Sequence, residues 1–368
     1  MIAVLLISIL LVMLIWKRNY RRLWEKELSV NFSFEQPYIY AGESVRLKEI
    51  IENRKRMPVS PLEVRFRVKK GLVFQDMDNT SISDYVYKRD VYALLGRQRI
   101  TRSLPILCQK RGFYAIGDVS VVTYPLMLNH AYRKGLDTEA QIYVYAKRTN
   151  VTDILRVSEN LLGEQESNRK YLEDPFAFAS IRDYTMQDPM KNINWKASAK
   201  TGDLMVNTYT SVINEKMMIY LDIEDGGILK QESLREECIS VATTLYQKLL
   251  NKGTEVGICI NLYDENREKI FYLPPSRSKS HRTELEQTLA VEWKEEAVAD
   301  FEKMLEIPTL DAIPVIISKN ISEQRVRAAE AFCGKKAKGI WVVPHEPGEI
   351  PCVHSNSFLF VKREVEGR

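Results

Sequence analysis

The sequence is poor in the residues and motifs from which most catalytic sites are built. Its 368 residues include only 4 histidines and 5 cysteines, and none stands at the spacing of a zinc site or of a C-x-x-C redox pair. The chain also lacks the glycine-rich phosphate loops G-x-x-x-x-G-K-[ST] and G-x-G-x-x-G and the nucleophile turn G-x-S-x-G. We therefore expect a protein that is not an enzyme.

The cysteines and the charge balance exclude two further classes. The five cysteines are odd in number and far apart, which predicts buried, reduced thiols and argues against a disulfide framework. The 53 basic and 49 acidic residues leave a net charge of only +4. Because a nucleic-acid binder carries a clustered basic stripe, no nucleic-acid partner is expected. The length predicts two soluble domains.

One long uncharged run is present, and it opens the chain. Residues 1–16, MIAVLLISILLVMLIW, contain no charge, and at about 1.5 Å per residue they span about 24 Å of a hydrocarbon core that is ~30 Å thick. Trp16 and Tyr20 suit the lipid–water boundary, and residues 17–27 are basic. Because basic clusters stay in the cytoplasm, we expect a single-pass anchor in the cell membrane, in contact with lipid, with its N-terminus outside and the soluble domains cytoplasmic.

The segment after the anchor has the pattern of β-strands. In residues 28–148, apolar and polar positions alternate, as where Leu62, Val64, Phe66 and Val68 are separated by charged side chains. This alternation is typical of strands with one buried and one wet face. Several short strands separated by turn residues favour an antiparallel β-sandwich.

The pattern changes in the second half of the chain. Residues 149–214 form a linker with some helical character. In residues 215–368, short continuous apolar runs alternate with runs of helical spacing. This order predicts an open, largely parallel sheet covered by helices on both faces.

The linker contains the most informative stretch of the sequence. Residues 176–206, FAFASIRDYTMQDPMKNINWKASAKTGDLMV, place many charges beside a tryptophan. The stretch resembles the signature of a bacterial family called domain of unknown function 58, approximately E-F-x-x-x-R-x-Y-x-x-G-D-x-x-R-x-I-x-W-K-x-S-A-R-x-x-x-L-x-V. The matching residues are Phe176 or Phe178, Arg182, Tyr184, Asp188, Ile193, Trp195, Lys196, Ser198, Ala199, Leu204 and Val206. Gln187, Lys191 and Lys200 depart from the pattern.

The resemblance implies an architecture and a partner. Members carry an immunoglobulin-like sandwich before the signature, a von Willebrand factor A-like domain after it, and often two N-terminal spans, of which this sequence shows one. The implied fold is an α+β multidomain chain with an N-terminal transmembrane helix, an antiparallel immunoglobulin-like β-sandwich and an α/β open sheet. The implied partner is a MoxR-type AAA+ ATPase.

The signature residues allow two interpretations, which are not exclusive. In the first, the ring of Trp195 is buried at a junction between domains, and Arg182, Asp183, Asp188 and Lys196 form paired charges that hold this junction. In the second, the same cluster is an exposed docking face or a ligand pocket.

A candidate metal site follows the first strand of the second half. A magnesium-binding von Willebrand factor A domain has D-x-S-x-S at this position, which supplies hard oxygen ligands. This chain keeps Asp222 but has Glu224 and Gly226 in place of the serines. Together with Asp225, the carboxylates predict either a degenerate magnesium site or a solvated acidic turn.

Our leading functional hypothesis is a membrane-anchored, non-enzymatic adaptor or scaffold. It would work with a MoxR-type ATPase in the assembly or maturation of other complexes. The first alternative is a thiol-dependent envelope enzyme that uses Cys352 with His345 or His354. The second alternative is a metal-dependent ligand-binding module.

Overall fold

The computed structural model describes residues 2–124, 131–169, 178–186, 188–209, 216–225, 231–264, 268–307, 312–333, 338–348 and 354–365. The chain divides into two compact units. The first unit comprises Met1–Arg148 and Thr283–Trp293, and the second comprises Thr149–Arg282 and Lys294–Arg368. A single cut after residue 148 therefore does not separate them, because a segment from the second half of the chain belongs to the first unit.

The first unit begins with a long helix, α1 (Ile2–Leu23). The rings of Tyr20 and Trp24, at its end and just beyond it, are only 3% and 4% exposed, and the Tyr20 hydroxyl lies 3.1 Å from Thr123 Oγ1. Within the residues that the structure describes, no helix combines the length and apolarity needed to cross a membrane. The predicted transmembrane span at residues 1–16 is therefore not supported.

The rest of the first unit is built from twelve described strands around one core. Alternation along the strands places apolar side chains inside, and Leu62, Val64, Phe66 and Val68 are at most 2% exposed, as the sequence predicted. Every strand pairing in this unit is antiparallel except β2 with β12. The strands are β1 (Leu28–Phe34), β2 (Tyr38–Tyr40), β3 (Ser44–Asn53), β4 (Val59–Lys69), β5 (Leu72–Phe74), β6 (Thr80–Ile82), β7 (Tyr85–Leu94), β8 (Gln98–Cys108), β9 (Gly112–Ala115), β10 (Gly117–Thr123), β11 (Tyr132–Gly135) and β12 (Gln141–Tyr145). Their sheets have the orders β1-β3-β8-β5, β11-β10-β4-β7-β6 and β2-β12-β9.

The second unit contains a small hairpin and a six-stranded sheet. The hairpin pairs β13 (Phe178–Asp183) with β14 (Met205–Tyr209). The sheet has the order β17-β16-β15-β18-β19-β20, parallel except for β17 at one edge. Its strands are β15 (Lys216–Leu221), β16 (Glu255–Tyr263), β17 (Ile270–Ser276), β18 (Ile313–Ile317), β19 (Gly339–His345) and β20 (Phe358–Glu364). The central strand β18 is buried at every residue, as expected for a sheet that is covered on both faces.

In the described part of the chain, six further helices follow the strands of the first unit, and those after β15 alternate with strands, as the sequence predicted. They are α2 (Thr152–Arg169), α3 (Trp195–Thr201), α4 (Glu232–Asn251), α5 (Lys279–Ala290), α6 (Phe301–Leu305) and α7 (Glu323–Cys333). The prediction of a mixed α and β chain with many antiparallel strands is confirmed. Residues 295–297 form a 3₁₀ turn that is separate from α6. Helix α6 packs into the core through the side chains of Phe301, Met304 and Leu305.

A buried polar network lies inside the first unit. Glu49 is 1% exposed and accepts a 2.6 Å hydrogen bond from the Tyr92 hydroxyl. Arg102 pairs with Asp90 at 2.8 Å, and the ammonium of Lys88 donates to backbone carbonyls. Burial raises the pKa of Glu49 to about 7; the Tyr92 hydrogen bond opposes this shift and the charge of Asp90 adds to it.

This network predicts a pH-dependent stability. The folded-state pKa of Glu49 is about 7 against an unfolded value near 4.5. The protonated form is therefore favoured by folding, and its contribution is fully present below pH 4.5 and is lost as the pH rises through 7. We expect Glu49→Gln to remove up to about 3 kcal/mol of this pH dependence. Urea denaturation at about pH 5 and about pH 8 would measure it.

The control is Glu52→Gln on the same strand. Glu52 lies in an exposed pair with Arg54, so its neutralisation should leave the pH dependence between 4.5 and 7 in place. An unchanged pH dependence in Glu49→Gln would contradict the assignment of this titration to Glu49.

Candidate functional site

The signature residues form a compact turn structure in the second unit. Between the two hairpin strands lie a 3₁₀ turn (Met190–Asn192) and the seven-residue helix α3. Asn194 caps α3, because its Oδ1 accepts a 3.0 Å hydrogen bond from the Ala197 backbone N–H, and its Nδ2 donates to Asn207 Oδ1 on β14 at 2.8 Å. Gly202 ends the helix at a φ of 86°, a conformation that favours glycine. Local hydrogen bonds therefore determine this shape.

The centre of the turn structure is the ion pair of Arg182 with Asp188. The guanidinium donates two hydrogen bonds to the carboxylate, at 2.7 and 2.6 Å. The same carboxylate accepts from the Thr185 backbone N–H at 2.9 Å and its hydroxyl at 2.8 Å. The hydrogen bonds from Arg182, followed by those from Thr185, hold the pKa of Asp188 well below its usual range. The predicted pairing of charges is thus confirmed for these two residues.

Ser198 and Tyr184 also hold the hairpin together. The Ser198 hydroxyl donates to the Asn194 carbonyl at 2.9 Å and accepts from the Met205 backbone N–H at 2.8 Å. The Tyr184 backbone N–H donates to the Leu204 carbonyl at 2.8 Å. Both residues therefore have a local structural role. Phe176, which the resemblance also singled out, lies outside the described residues.

The apolar side chains of this region are mostly exposed. Trp195 is 69% exposed, Met190 75% and Met186 99%. The interpretation in which the Trp195 ring is buried at a junction is therefore wrong. The core of the turn structure consists of Ile193 and Val206, which are 7% and 2% exposed. These two residues also pair as an isolated antiparallel bridge, which joins the segment before α3 to β14.

The surface around Trp195 is also basic. Lys191 precedes α3, and Lys196 and Lys200 lie on it; all three are exposed. Asp183, on β13, is exposed as well, and its backbone carbonyl accepts a hydrogen bond from Arg182 at 3.0 Å. We call the exposed side chains of Met190, Lys191, Trp195, Lys196 and Lys200 the tryptophan surface.

The predicted metal loop has a different chemistry from the one expected. Asp222 is 1% exposed at the carboxyl end of β15. Its Oδ1 accepts from Asn261 Nδ2 at 2.7 Å and from the Glu224 backbone N–H at 3.0 Å. Its Oδ2 accepts from the Ser318 hydroxyl and from Arg325 Nη1, both at 2.6 Å. Four donors from four segments therefore surround this carboxylate.

Protein cations pair with all three carboxylates of the loop. Arg325 also binds the Glu224 carboxylate, and Lys319 binds Asp225. Burial acts to raise the pKa of Asp225, but the hydrogen bond and charge of Lys319 outweigh it, and the pKa is lowered. Among the described residues, no group of three or more His, Cys, Asp or Glu side chains is arranged to hold a metal ion. The carboxylate oxygens of the loop therefore bind a guanidinium and an ammonium of the protein itself. The prediction of a magnesium site is not supported.

Sequence reasoning missed the residues that complete this cluster. Asn261, Ser318 and Arg325 stand 39, 96 and 103 residues from Asp222. The available signal was their placement near strand and helix ends. Asn261 lies near the end of β16, Ser318 directly follows β18, and Arg325 is in the first turn of α7; β16 and β18 both neighbour β15. Carboxyl ends of neighbouring parallel strands meet at one edge of a sheet, so these polar residues were candidates for a shared site.

Two of the three residues of the thiol-enzyme alternative lie within the described parts of the chain. Cys352 lies outside the described residues. His354 is exposed, and His345 Nδ1 lies 3.0 Å from the Glu346 carbonyl oxygen. Of the remaining cysteines, Cys108, Cys238 and Cys259 are buried free thiols, as predicted, whereas Cys333 is a free thiol that is only half-buried. Burial raises the pKa of Cys259 to about 12, so this thiol stays protonated at neutral pH.

Comparisons with known proteins find a family match for part of the chain. Residues 180–353 match the family described as Protein of unknown function DUF58. This part of the chain belongs to that family. The resemblance predicted from the signature is thereby confirmed, and the DUF58 segment extends from the hairpin through β19. No curated protein sequence gives a significant match.

Solved structures add only remote similarity. The CARDB domain of the PF1109 protein from Pyrococcus furiosus shares 9% identity over 31% of this chain and 94% of its own, with a TM-score of 0.19. A non-cellulosomal cohesin from Archaeoglobus fulgidus shares 7% over 35% of this chain and 97% of its own, with a TM-score of 0.21. An exo-β-N-acetylglucosaminidase from Vibrio harveyi shares 9% identity over 85% of this chain and 61% of its own, with a TM-score of 0.24. Scores this low carry no argument about fold or function.

The carboxylate cluster leads to a test of its cation. We expect Arg325→Met to destabilise the protein by about 3 kcal/mol, because the buried Asp222 would lose its charge partner. Arg327→Met is the matched control on the same helix, since Arg327 is 79% exposed and pairs only with an exposed Glu323. Chemical denaturation of both variants would measure the difference.

A second substitution and added metal complete this test. Asp222→Asn in the Arg325→Met background should recover part of the lost stability, because it removes the unpaired charge.

Magnesium should leave the melting temperature of the wild-type chain unchanged, since a ligand raises the melting temperature only by binding the folded state. A magnesium-dependent rise would restore the metal-site interpretation.

Proposed function

We propose that the protein is a non-enzymatic adaptor that binds a partner protein through the tryptophan surface. The observation that carries this proposal is the 69% exposure of Trp195 on a helix whose position is fixed by local hydrogen bonds. Exposed apolar side chains that lie together and are bordered by polar residues often mark a protein interaction site. Tryptophan is also enriched among the residues that dominate the binding energy of protein interfaces.

The surroundings of Trp195 support a protein partner. Met190 adds a flexible apolar side chain, and methionine is common on surfaces that bind other proteins. Lys191, Lys196 and Lys200 are exposed around the ring and favour a partner surface that is acidic. The Arg182–Asp188 pair holds the preceding loop in one geometry, so less conformational entropy is lost on binding.

The identity of the partner is proposed from the family resemblance. We propose that the partner is a MoxR-type AAA+ ATPase, which the adaptor delivers or positions during assembly or maturation of other complexes.

We also propose that the first unit is an immunoglobulin-like sandwich and that the six-stranded sheet is von Willebrand factor A-like. The parallel sheet with Asp222 at the carboxyl end of a central strand supports the second assignment.

We propose that α1 keeps the protein at the cell membrane. Every residue from 7 to 19 is exposed. The apolar ones, from Ile7 at 65% to Trp16 at 42%, form a continuous surface that lipid would cover. The adaptor would then act on partners that assemble at the membrane.

Substitution of the exposed tryptophan tests the docking proposal. We expect Trp195→Ala to weaken partner binding by about thirtyfold, which corresponds to about 2 kcal/mol for a central aromatic residue. Its circular dichroism spectrum and melting temperature should stay unchanged, because the ring makes few contacts within the chain. The measurement is recovery of an AAA+ ATPase with the tagged full-length protein from detergent-solubilised membranes.

Tyr87→Ala is the matched control, because Tyr87 is a 41% exposed aromatic residue of the first unit and lies outside the tryptophan surface. It should recover the ATPase as the wild type does. Equal recovery with Trp195→Ala, or no ATPase with the wild-type chain, would argue against the proposal.

A further inference from the structure

Three segments that are distant in sequence meet at one end of the first unit. They are the end of α1 with the residues after it (20–27), the β3–β4 loop (53–58) and the β7–β8 turn (95–97). The Lys55 ammonium donates to the backbone carbonyls of Trp24 at 2.5 Å and Lys26 at 2.9 Å. The Arg54 backbone N–H donates to the Glu27 carbonyl at 3.0 Å, and that of Arg97 donates to the Lys55 carbonyl at 2.9 Å.

The contacts between the two loops are close and specific. Asn53, which is 1% exposed, donates through Nδ2 to the carbonyls of Met57 at 2.9 Å and Leu95 at 2.8 Å. A Cβ atom on Gly96 would lie 2.0 Å from the Arg56 carbonyl oxygen, so this close approach requires glycine. The loops and the end of α1 are therefore one surface.

Lys55 is an internal part of this surface and does not reach its outer face. Burial lowers the pKa of its ammonium to about 8, although the charge of Glu27 acts in the opposite direction. Its two carbonyl partners lie just past the end of α1, where a cation is favourable. Lys55 thus holds α1 to the β3–β4 loop.

The outer face of this surface is strongly basic. Eight exposed basic side chains belong to these segments and to the adjoining part of α1, and three acidic residues lie in or directly beside the same segments. The basic residues are Lys17, Arg18, Arg21, Arg22, Lys26, Arg54, Arg56 and Arg97, and the acidic residues are Glu25, Glu27 and Glu52. We call these eight residues the basic end. In the sequence they form three separate groups, and only the fold brings them together.

Apolar side chains border the basic end. The exposed apolar surface of α1 ends at Trp16, one residue before Lys17. In the β7–β8 turn, Leu95 is 63% exposed, two residues before Arg97. An uncharged apolar surface that continues into clustered cations matches a phospholipid bilayer, whose hydrocarbon lies directly beneath its phosphates.

We infer that the basic end binds the anionic headgroups of the membrane, so that the loops of the first unit contact the bilayer together with α1. The occupant is an anionic phospholipid surface. The inference rests on the proposed membrane location of α1, but it adds a site that α1 alone does not supply. Contact through two additional loops would fix the orientation of the first unit at the bilayer, where a single helix would leave it free to rotate.

The test uses a reporter at the turn that should touch lipid. The full-length Leu95→Cys variant, labelled with an environment-sensitive fluorophore, would be reconstituted into vesicles containing quencher-bearing lipid headgroups. One vesicle set consists of phosphatidylcholine, and the other also contains phosphatidylglycerol. We expect quenching in the anionic vesicles, and we expect it to decrease at high salt because screening weakens contacts between exposed charges.

Charge variants identify the residues responsible. Arg54→Gln, Arg56→Gln and Arg97→Gln combined should abolish the lipid-dependent quenching. The matched control combines Arg46→Gln, Lys48→Gln and Lys70→Gln, which are exposed; on β3, Arg46 lies about 20 Å from Asn53 at the strand rise of ~3.3 Å per residue. This control should keep the quenching. Wild-type chain treated with the same fluorophore gives the background from native thiols.

The outcomes separate the inference from the function on which it rests. Failure of the chain to associate with either vesicle set would refute the membrane location of α1. Association with both sets, with equal quenching in each or with no effect of the three arginines, would refute lipid binding by the basic end and leave that location standing. Loss of quenching on addition of an RNA competitor in place of salt would identify nucleic acid as the occupant and also overturn the inference.

Discussion

A single buried carboxylate places a strong constraint on the second unit. Asp222 is removed from water at the end of a central strand, and an uncompensated charge there would cost several kcal/mol. The chain supplies donors from the neighbouring strand ends, through Asn261 and Ser318, and a full positive charge from Arg325. Because these donors come from β16, the end of β18 and α7, the carboxylate joins the sheet edge to the helix that follows it.

The same cluster explains why an acidic loop need not be a metal site. Oxygen ligands hold a divalent cation when they converge on a common point and no other positive charge is closer. Here the guanidinium of Arg325 binds Asp222 and Glu224 together, and its Cζ atom lies 5.1 Å from the centroid of the Phe301 ring. The positively charged side chain of Arg325 therefore lies beside the carboxylates that would bind a metal ion in the D-x-S-x-S loop.

The signature region follows a different principle. Its shape depends on short-range hydrogen bonds: the Arg182–Asp188 pair, the Asn194 cap and the two hydrogen bonds of the Ser198 hydroxyl. These contacts need little apolar burial, so the large side chain of Trp195 stays exposed. A rigid loop with an exposed aromatic residue is suited to recognition, which is why the two features together support an adaptor function.

Much of the architecture was predictable because it depends on local periodicity. Alternating side chains predicted the strands of the first unit, and apolar runs alternating with helical spacing predicted the parallel sheet of the second. The Arg182–Asp188 pair was also predictable, since its members are six residues apart within one dense motif. By contrast, the pairing of Arg325 with Asp222 and the hydrogen bond between Arg97 and Lys55 depend on which distant segments pack together. The sequence by itself thus determined the elements and their order through short-range patterns. Only the tertiary structure decided which distant charges are paired and which loops share a surface, because those depend on contacts between segments up to about a hundred residues apart.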